Sequence, residues 1–586
     1  MRRARVDGAR APCYHAAPYM FRTARLARFD PRCLSATALE RLSMAAILFY
    51  GAWEAWVYKF KPYSDDAVSY LDVSDSVVAG HLRGVLNEYW SPLYPVLIGI
   101  MRVLVRPSAY WEFAALKLVN LALLVFALFS FRWFLRELVR WQRSETDAAG
   151  VAEIGPSERQ WIAIGFCLFA WAALVGTHLM ANTPDLGWAG FVFLAIGLAL
   201  RASRGPASPA LVAGLGAVLG AGYLCKAIVL PLACVIIPVT ILHIAGARRR
   251  AVASLSAVIG LLVLAGPLVL ALSWQAHGFT VGQAGRLNYL WYVERVADHN
   301  WSGQTPDGRT ADHPARQISV APHAYEFDGP VGGTYPQWTD PAYWYAGLHP
   351  RLALRNLAVL VARNAVAFWR QFGLIVISGW LALLVASGLA SGWWRRLWRA
   401  SILVIPAIAG LTMFAAVYDF AGKFEARHVA PFVVLGTLGL LTTVRARQTP
   451  PGRRIFSAVA LVALVIVAQG LADRLLDDVR ILRATSNDAW TVAEGLRAAG
   501  LREGDRVAHL GDRGYYWARV LRLRIVAEIP DPDEWWALPA DARRALADRL
   551  EHLGIRAIVQ RPGLPVPLNE PAWQRVPGNA YVLILK

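Results

Sequence analysis

Charged side chains are scarce in this sequence. They make up 17% of its 586 residues, whereas 56% of the residues are hydrophobic, and the mean hydropathy is positive. A soluble protein of this length normally carries a clearly larger charged fraction. The composition therefore excludes an ordinary soluble globular protein and favours a chain that resides in the hydrocarbon core of a bilayer.

Cysteine is scarce as well, and no two cysteines have the spacing of a metal site. Cys13 and Cys33 lie in a basic N-terminal tail, and Cys167, Cys225 and Cys234 lie within apolar segments. The long polar segments contain none. We therefore expect no disulfide framework.

Several catalytic signatures are missing too. The sequence has no GxGxxG fingerprint, no Ser/His/Asp or Cys/His hydrolase pattern and no internal repeat. The stretch LGDRGYY, residues 510–516, is only loosely similar to a nucleotide-binding loop. These absences give no support to a nucleotide-dependent enzyme or to a serine or cysteine hydrolase.

The net charge of +19 raises the question of a nucleic-acid partner. The basic residues are nearly all arginine, and they form short clusters between apolar runs instead of one basic patch. This distribution is typical of the cytoplasmic loops of membrane proteins and does not indicate nucleic acid. The clusters are Arg136/Arg140/Arg143, Arg201/Arg204, Arg248/Arg249/Arg250, Arg395/Arg396/Arg399 and Arg445/Arg447/Arg453/Arg454.

About eleven apolar segments approach the roughly 20 residues that a spanning helix needs. When the tail of residues 1–41 is placed in the cytoplasm, as a disordered basic segment facing anionic lipid, every arginine cluster falls on the same side. The predicted fold is therefore a polytopic α-helical membrane protein. The segment centres are Leu48, Leu123, Leu168, Leu194, Val218, Val235, Val263, Ile377, Ile408, Leu435 and Leu464.

The apolar run from Pro92 to Val105 is predicted to lie in the outer interface as an amphipathic helix, because counting it as a span would invert every later loop. This placement leaves two long outer loops, one at about residues 61–112, which contains the run, and one at about residues 275–360. Residues 42–472 then form the transmembrane domain. Residues 473–586 lie outside the cytoplasm, and their strand-like runs alternate with helical stretches, which predicts a small α/β domain. The runs are RVAHLG, RIVAEI, AIVQR and YVLILK.

Two adjacent carboxylates stand in the first outer loop, within YSDDAVSYLDVSDSVVAGHL. A helix that begins at Asp65, capped by the preceding serine and ended by a glycine, explains Asp65 and Asp66 by helix stability alone. Their place beside the first span also suits a general base that removes the proton of an acceptor hydroxyl as it attacks a sugar. Tyr70 is a candidate supporting residue on this helix, and Asp72 and Asp75 are expected to be solvated or supporting.

A second group of ionisable residues stands at the outer ends of predicted spans. Charges at such depth are costly and usually face a cavity or one another. A leaving phosphate needs cationic partners, for which Lys226, Arg427 and Arg286 are the candidates. An ion pair among Lys226, Asp185 and Glu425, or snorkelling of the lysine to the interface, explains the same pattern without chemistry. The group comprises Asp185, Lys226, Glu425, Arg427 and His428.

The second outer loop carries aromatic residues interleaved with Asn, Arg and Asp. They occur in GRLNYLWYVE around Asn288 and in TYPQWTDPAYWYAG from Thr334 to Gly347. A sugar would stack on such rings, but interfacial Trp and Tyr are also ordinary residues of an aromatic belt. The histidines are not spaced as a metal site. Asp65 and Asp66 could recruit a divalent metal ion, although the sequence offers no third ligand.

Taken in order, these features resemble the GT-C glycosyltransferases, in the branch of the protein O-mannosyltransferases and the lipid A aminoarabinose transferases. That family carries an acidic pair in the first outer loop, a PLYP stretch after it, and short motifs at the outer ends of later spans. The resemblance covers roughly residues 42–472. The matching stretches are Asp65-Asp66, Pro92-Leu93-Tyr94-Pro95, Thr183-Pro184-Asp185, Tyr223-Leu224-Cys225-Lys226 and Glu425 through Pro431.

The resemblance implies an inverting transfer of a sugar from a polyprenyl-phosphate donor to a glycan, lipid or protein acceptor. In that chemistry Asp65, or else Asp66, is the base, and Lys226 and Arg427 bind the lipid phosphate. No cofactor is required, since phosphate is a good leaving group. The resemblance also implies that Asp185 and Glu425 orient these cations. The further candidate supporting residues are His428, Tyr70, Tyr94 and Asn288.

The implied location is the inner membrane of a bacterium, with the N-terminus in the cytoplasm and the site and C-terminal domain in the periplasm. Two other functions stay open on the sequence. A transporter or flippase of lipid-linked sugars also carries intramembrane charges, but it predicts inverted repeats and paired broken helices, which the sequence does not show. A membrane-anchored sensor or scaffold would leave the buried charges unexplained.

Overall fold

A computed structural model describes most of the chain. The described ranges are 35–62, 65–146, 153–296, 315–327, 333–373, 393–447, 450–484, 486–511, 513–564 and 570–585. The predicted span centre Ile377, the serine expected to cap the acidic helix, and nearly all of the predicted tail lie outside these ranges.

Apolar helices dominate the chain as far as residue 483. In the described ranges, six helices are long and apolar enough to cross a membrane, and four shorter apolar helices accompany them. Every predicted span centre except Ile377 falls within one of the helices, which confirms the polytopic helical architecture. They are α1 (Ala36–Val57), α2 (Asp66–Val78), α3 (Leu93–Val105), α4 (Glu112–Thr146), α5 (Glu158–Ala170), α6 (Asp185–Ser203), α7 (Pro209–Cys225), α8 (Val229–Leu242), α9 (Ala247–Gln275), α10 (Ala284–Tyr292), α11 (Pro336–Thr339), α12 (Pro341–Trp344), α13 (Leu354–Phe368), α14 (Trp393–Val417), α15 (Ala430–Leu441) and α16 (Pro450–Arg483).

Helices α7 and α9 pack with their backbones in close contact. A Cβ atom on Gly216 would overlap the carbonyl oxygen of Ala257, and a Cβ atom on Gly260 would overlap that of Ala213. Small residues permit such approach inside a membrane, where packing and not water exclusion holds helices together. The contact fixes the position of α7 against α9, and therefore also the position of the C-terminal end of α7 at Cys225.

Paired charges mark one end of the helix bundle. Glu40, near the start of α1, accepts from Arg136 at 3.0 Å and also pairs with Arg132, both on α4. Glu137 pairs with Arg140 at 2.7 Å and with Arg204. Several of these arginines belong to the clusters that the sequence places in the cytoplasm, and pairing removes the cost of their buried glutamate partners.

The first outer loop folds against the other end of the bundle. α2 ends before Gly80, whose φ of +75° suits a glycine after a helix, as the sequence predicts. α3 buries Tyr94 and Ile98 while Leu104 remains exposed. An outward apolar face of this kind is expected of an interfacial helix.

The C-terminal part forms a seven-stranded sheet with strand order β2-β3-β6-β5-β7-β9-β8. β5, β6 and β7 are parallel at its centre, and the outer strands are antiparallel. The four predicted strand runs form β5, β6, β7 and β9, which confirms a small α/β domain. The strands are β1 (Glu153–Ile154), β2 (Ala315–Val320), β3 (His323–Phe327), β4 (Ala446–Arg447), β5 (Arg506–Leu510), β6 (Arg524–Ile529), β7 (Ala557–Gln560), β8 (Gln574–Val576) and β9 (Ala580–Ile584), of which β1 and β4 pair separately, and the helices are α17 (Asp488–Ala498), α18 (Tyr516–Leu521), α19 (Pro532–Ala537) and α20 (Ala540–His552).

Two features of this domain differ from the sequence prediction. The hairpin β2-β3 comes from the second outer loop, so the sheet reaches beyond residues 473–586. In addition, α16 continues to Arg483, past the predicted end of the transmembrane domain at residue 472. The domain therefore includes chain from two separate outer segments.

Candidate active site

One cavity of about 1050 Å³ lies between the helix bundle, the outer loops and the C-terminal domain. Tyr94, a predicted supporting residue, is absent from its lining. Its hydroxyl donates to Asn120 Oδ1 at 2.6 Å, and its ring lies 4.8 Å from that of Tyr70, so it supports the cavity wall from behind. The other predicted site residues all line the cavity: Asp65, Asp66, Tyr70, Asp185, Lys226, Arg286, Asn288, Glu425, Arg427 and His428.

Helix ends place the charged residues in this cavity. Pro184 precedes the first residue of α6, which is Asp185. Lys226 ends α7 because its backbone is extended, with φ of −155° and ψ of 129°. A short 3₁₀ turn, Ala426–His428, precedes α15. Because all of these ends open on the same side of the bundle, residues far apart in sequence meet at one depth.

Lys226 and Asp185 form the centre of the first cluster. The ammonium of Lys226 bonds to Asp185 and lies 3.2 Å from Nδ1 of His428. Trp188 Nε1 donates at 2.9 Å to Oδ1 of Asp185, the oxygen that also contacts Lys226, and the Thr183 hydroxyl donates at 2.8 Å to Oδ2. The side chain of Lys226 is 24% exposed whereas that of Asp185 is fully buried. The carboxylate is therefore enclosed, and the ammonium faces the cavity.

Arg427 joins the same cluster. Its guanidinium lies 3.4 Å from Asp185 and donates from Nε to Glu425 at 2.6 Å. Burial alone would lower the pKa of Arg427, but Asp185, Glu425 and Asp66 raise it, so the guanidinium stays charged. Burial raises and Arg427 lowers the pKa of Glu425, with a net value of about 2.

His428 completes the cluster as a neutral ring. Its imidazole stacks on Phe414, with centroids 5.2 Å apart and planes 21° apart. Burial, together with Lys226 and Arg427, lowers the pKa of His428 well below its ordinary value. The imidazole can accept from the lysine without adding a positive charge to the cluster.

The acidic pair occupies the facing wall. Asp65 accepts from the hydroxyl of Tyr516 and from the backbone N–H of Gly514, both in the C-terminal domain. Burial raises the pKa of Asp65, and these hydrogen bonds oppose that effect only in part. Asp66 accepts from Trp338 Nε1 at 3.3 Å and acts electrostatically on Arg427. The two carboxylates thus face different neighbours, and both border the cavity.

The second outer loop covers the cavity with aromatic rings. Trp338 stacks on Trp291, with centroids 5.8 Å apart, and its carbonyl accepts from Trp90 at 3.1 Å. Arg286 directs its guanidinium to the carbonyl oxygens of Tyr345 and Leu348. It therefore anchors this loop as well as lining the cavity.

The C-terminal domain supplies residues that the sequence did not single out. Arg513, Gly514, Tyr515, Tyr516 and Arg561 line the cavity beside Asp65. The glycine-containing stretch after β5 was the available signal, since loops at the carboxyl ends of parallel strands commonly form binding sites. Because the stretch LGDRGYY is only loosely similar to a nucleotide-binding loop, the sequence gave no reason to place it beside Asp65.

A buried ion network docks this domain on the first outer loop. Arg519 donates to Asp72 at 2.7 Å, to Asp75 at 2.6 Å and to Glu112 at 2.9 Å. Arg102 adds contacts of 2.7 Å to Asp75 and 3.2 Å to Glu112. Asp72 was expected to be solvated or supporting. It is buried in this network because its partner, Arg519, belongs to a segment that is distant in sequence.

The donor set does not amount to a built metal site. In the described ranges no group of three or more His, Cys, Asp and Glu side chains could hold a metal ion. Asp65 and Asp66 accept hydrogen bonds from Tyr516 and Trp338 instead of converging on one point.

The fold and the cavity define a polytopic α-helical membrane protein in which charged residues at the ends of several helices line one cavity. Among solved structures, ArnT from Cupriavidus metallidurans bound to undecaprenyl phosphate aligns with a TM-score of 0.50 and 14% identity, over 94% of this chain and 99% of that chain. This likeness shows the fold: the chain has the GT-C fold, as the resemblance in sequence implies.

Other comparisons are weaker. The apo state of the same ArnT aligns with a TM-score of 0.41 at 14% identity, over 94% of this chain and 98% of that chain. The Archaeoglobus fulgidus oligosaccharyltransferase AglB, in complex with an inhibitory peptide and a dolichol-phosphate, aligns with a TM-score of 0.42 at 12% identity, over 89% and 70% of the two chains. No protein-family model and no curated protein sequence matches the chain.

Proposed function

We propose that the protein is a membrane glycosyltransferase that moves a sugar from a polyprenyl-phosphate-linked donor to an acceptor by an inverting displacement. One observation carries this proposal: the acidic pair Asp65 and Asp66 shares a single cavity with Lys226 and Arg427. A base and a phosphate-binding cluster are the two parts that such a transfer requires. The undecaprenyl phosphate bound by the ArnT structure supports the class of donor.

The donor phosphate binds at Lys226 and Arg427. Both cations border the cavity, and charge-assisted hydrogen bonds to phosphate are the strongest neutralising contacts that side chains offer. Asp185 and Glu425 hold the cations in place, and the neutral His428 accepts from the lysine without competing for the phosphate. We place the lipid chain against apolar residues that line the same cavity, among them Ile228, Leu230, Pro231, Phe414 and Val417.

Asp65 acts as the base. As the acceptor hydroxyl attacks the anomeric carbon, its proton passes to the Asp65 carboxylate and a new C–O bond forms. The bond from the anomeric carbon to the phosphate oxygen breaks on the opposite face, and both electrons leave with the lipid phosphate. Burial raises the pKa of Asp65, which brings the carboxylate closer to the range in which general bases are effective.

The aromatic cover keeps water from competing with the acceptor. Trp291, Tyr335 and Trp338 line the side of the cavity toward the outer loop. Exclusion of water strengthens the electrostatic contacts inside and protects the donor from hydrolysis. We place this cavity and the C-terminal domain on the periplasmic side of a bacterial inner membrane, with a glycan, lipid or protein as acceptor.

The substitution Asp65→Asn tests the role of the base. In proteoliposomes that contain polyprenyl-phosphate sugar, we expect transfer to fall by a factor of roughly 10² to 10⁴, the usual contribution of a positioned base. Binding of undecaprenyl phosphate should be unchanged, because Lys226 and Arg427 are intact. Asp477→Asn is the matched control, since its side chain is 57% exposed on the outer part of α16.

Wild-type transfer by Asp65→Asn would remove Asp65 from the reaction. Movement of the intact lipid-linked sugar between leaflets, with no transfer by the wild-type protein, would instead favour a flippase.

A further inference from the structure

The loops of the C-terminal domain that border the cavity come from one edge of its sheet. β5 and β7 are adjacent parallel strands, with Leu510 opposite Gln560. The chain leaves both strands at their carboxyl ends, and there Arg561 N–H donates to the Leu510 carbonyl at 2.8 Å. In open α/β sheets this edge is where ligands usually bind. Here that edge is turned toward the membrane cavity.

Close packing fixes the two loops against each other. A Cβ atom on Gly511 would lie 2.8 Å from Cβ of Arg561, and Gly511 has a φ of +132°. Gly514 has a φ of +83° and lies against the side chain of Arg561. Only glycine adopts these conformations at so little cost. The positions of Arg513 and Arg561 are therefore set by the loop backbone.

The sheet edge also contacts the proposed base. Asp65 accepts from Tyr516 and Gly514, and Arg513 acts on it electrostatically. The buried contacts of Arg519 hold the domain in this position. Two arginines thus stand beside the point at which an acceptor hydroxyl would meet Asp65.

The proposed donor phosphate already has a separate set of cations. Lys226 and Arg427 are contributed by the helix bundle, together with Asp185 and Glu425. The C-terminal arginines belong to the wall that holds Asp65. A second pair of cations on the acceptor side indicates that the acceptor itself carries negative charge.

We propose that Arg513 and Arg561 form an anion subsite that binds a phosphate or carboxylate group of the acceptor and so aligns its hydroxyl with Asp65. This inference rests on the proposed function, because it assigns the acceptor side of the same cavity. Arginine suits either anion, since its planar fork donates two parallel hydrogen bonds to two oxygens.

The test measures binding of small charged sugars to the full-length protein in detergent. The protein is first saturated with undecaprenyl phosphate, so that Lys226 and Arg427 are engaged, and is then titrated with glucose 6-phosphate, glucuronate or glucose by calorimetry. We expect the charged sugars to bind roughly tenfold more tightly than glucose, as one charge-assisted contact predicts. The tighter of the two charged sugars identifies phosphate or carboxylate as the preferred group.

The double variant R513Q/R561Q should lose this preference and keep its affinity for undecaprenyl phosphate. R497Q/R575Q is the matched control, because Arg497 and Arg575 are exposed in the same domain and bond locally to Glu494 and Asn579. An unchanged unfolding temperature in both variants verifies that the domain remains docked.

Three results would overturn the subsite. They are equal binding of charged and neutral sugars by the wild-type protein, a preference that survives R513Q/R561Q, and a loss of undecaprenyl-phosphate binding in that variant, which would assign both arginines to the donor. Failure of the wild-type protein to bind undecaprenyl phosphate would count against the proposed function instead. The preference for charged sugars is then measured without the lipid.

Discussion

Replacing Arg519 by methionine should detach the C-terminal domain from the membrane part of the protein. The Arg519 side chain is 1% exposed and donates to three carboxylates, those of Asp72, Asp75 and Glu112. Methionine fills a similar volume and provides no charge. The variant therefore removes the cation while changing the packing little.

The size of the effect follows from what each carboxylate keeps. Asp75 retains Arg102 at 2.7 Å and Arg522 at 3.6 Å, and Glu112 retains the same two arginines at 3.2 Å and 3.1 Å. Asp72 retains only the N–H and hydroxyl of Thr334 within the described chain, at 2.8 Å and 2.9 Å. Removing one partner of a buried ion pair costs about 3–5 kcal/mol, because it leaves a charge without compensation. We expect R519M to fall in this range.

Two measurements check this expectation on the full-length protein in detergent. Thermal unfolding reports stability, and limited proteolysis reports access to the junction between α16 and α17. R497M is the control, because it breaks an exposed pair with Glu494 that is worth no more than about 1 kcal/mol. The double variant D72N/R519M should be more stable than R519M, since it also removes the orphaned charge.

An R519M protein as stable and as resistant to protease as R497M would refute this account of docking. So would a D72N/R519M protein in which the two losses simply add. Either result would mean that apolar contacts hold the domain and that the ion network is incidental.

Three further outcomes are expected. Lys226→Gln should weaken binding of undecaprenyl phosphate by roughly tenfold in calorimetry, the loss of one charge-assisted contact, and unchanged affinity would contradict a phosphate site there. Gly260→Leu should destabilise the protein by more than about 1–3 kcal/mol in thermal unfolding, whereas Gly266→Leu, with open space around it on the same helix, should not. Burial would raise the pKa of Asp75, but Arg519 and Arg102 lower it to about 2 in the folded protein. The pKa in the unfolded chain is about 3.9. The ionised Asp75 therefore contributes its full stabilisation above that unfolded pKa, and the contribution is lost as the pH falls toward 2. Wild-type unfolding temperatures measured across that interval should drop more steeply than those of Asp75→Asn, and equal slopes would contradict this assignment.

The membrane half of this protein was largely predictable from sequence. Apolar length located the helices, because the bilayer sets the length that a spanning helix needs. The cost of burying charge singled out Asp185, Lys226 and Arg427, and the structure brings all three to one cavity.

The contribution of the C-terminal domain was not predictable in the same way. Tyr516 contacts Asp65, and Arg519 contacts Asp72, because the C-terminal domain docks on the first outer loop, which is far away in sequence. No local pattern around an arginine distinguishes such a partner from a solvated side chain. The hairpin β2-β3 was missed for a related reason, since its pairing partner β6 lies in another segment.

The origin of that hairpin affects how the protein is made. Tyr325 and Glu326 are synthesised long before the residues of β6 with which they pair. Until β6 has been synthesised, the hairpin lacks its partner strand and has an unpaired edge, which is prone to bind other chains. We therefore expect a protein truncated before β6 to aggregate or be degraded, and the nascent chain to need protection until β6 is synthesised.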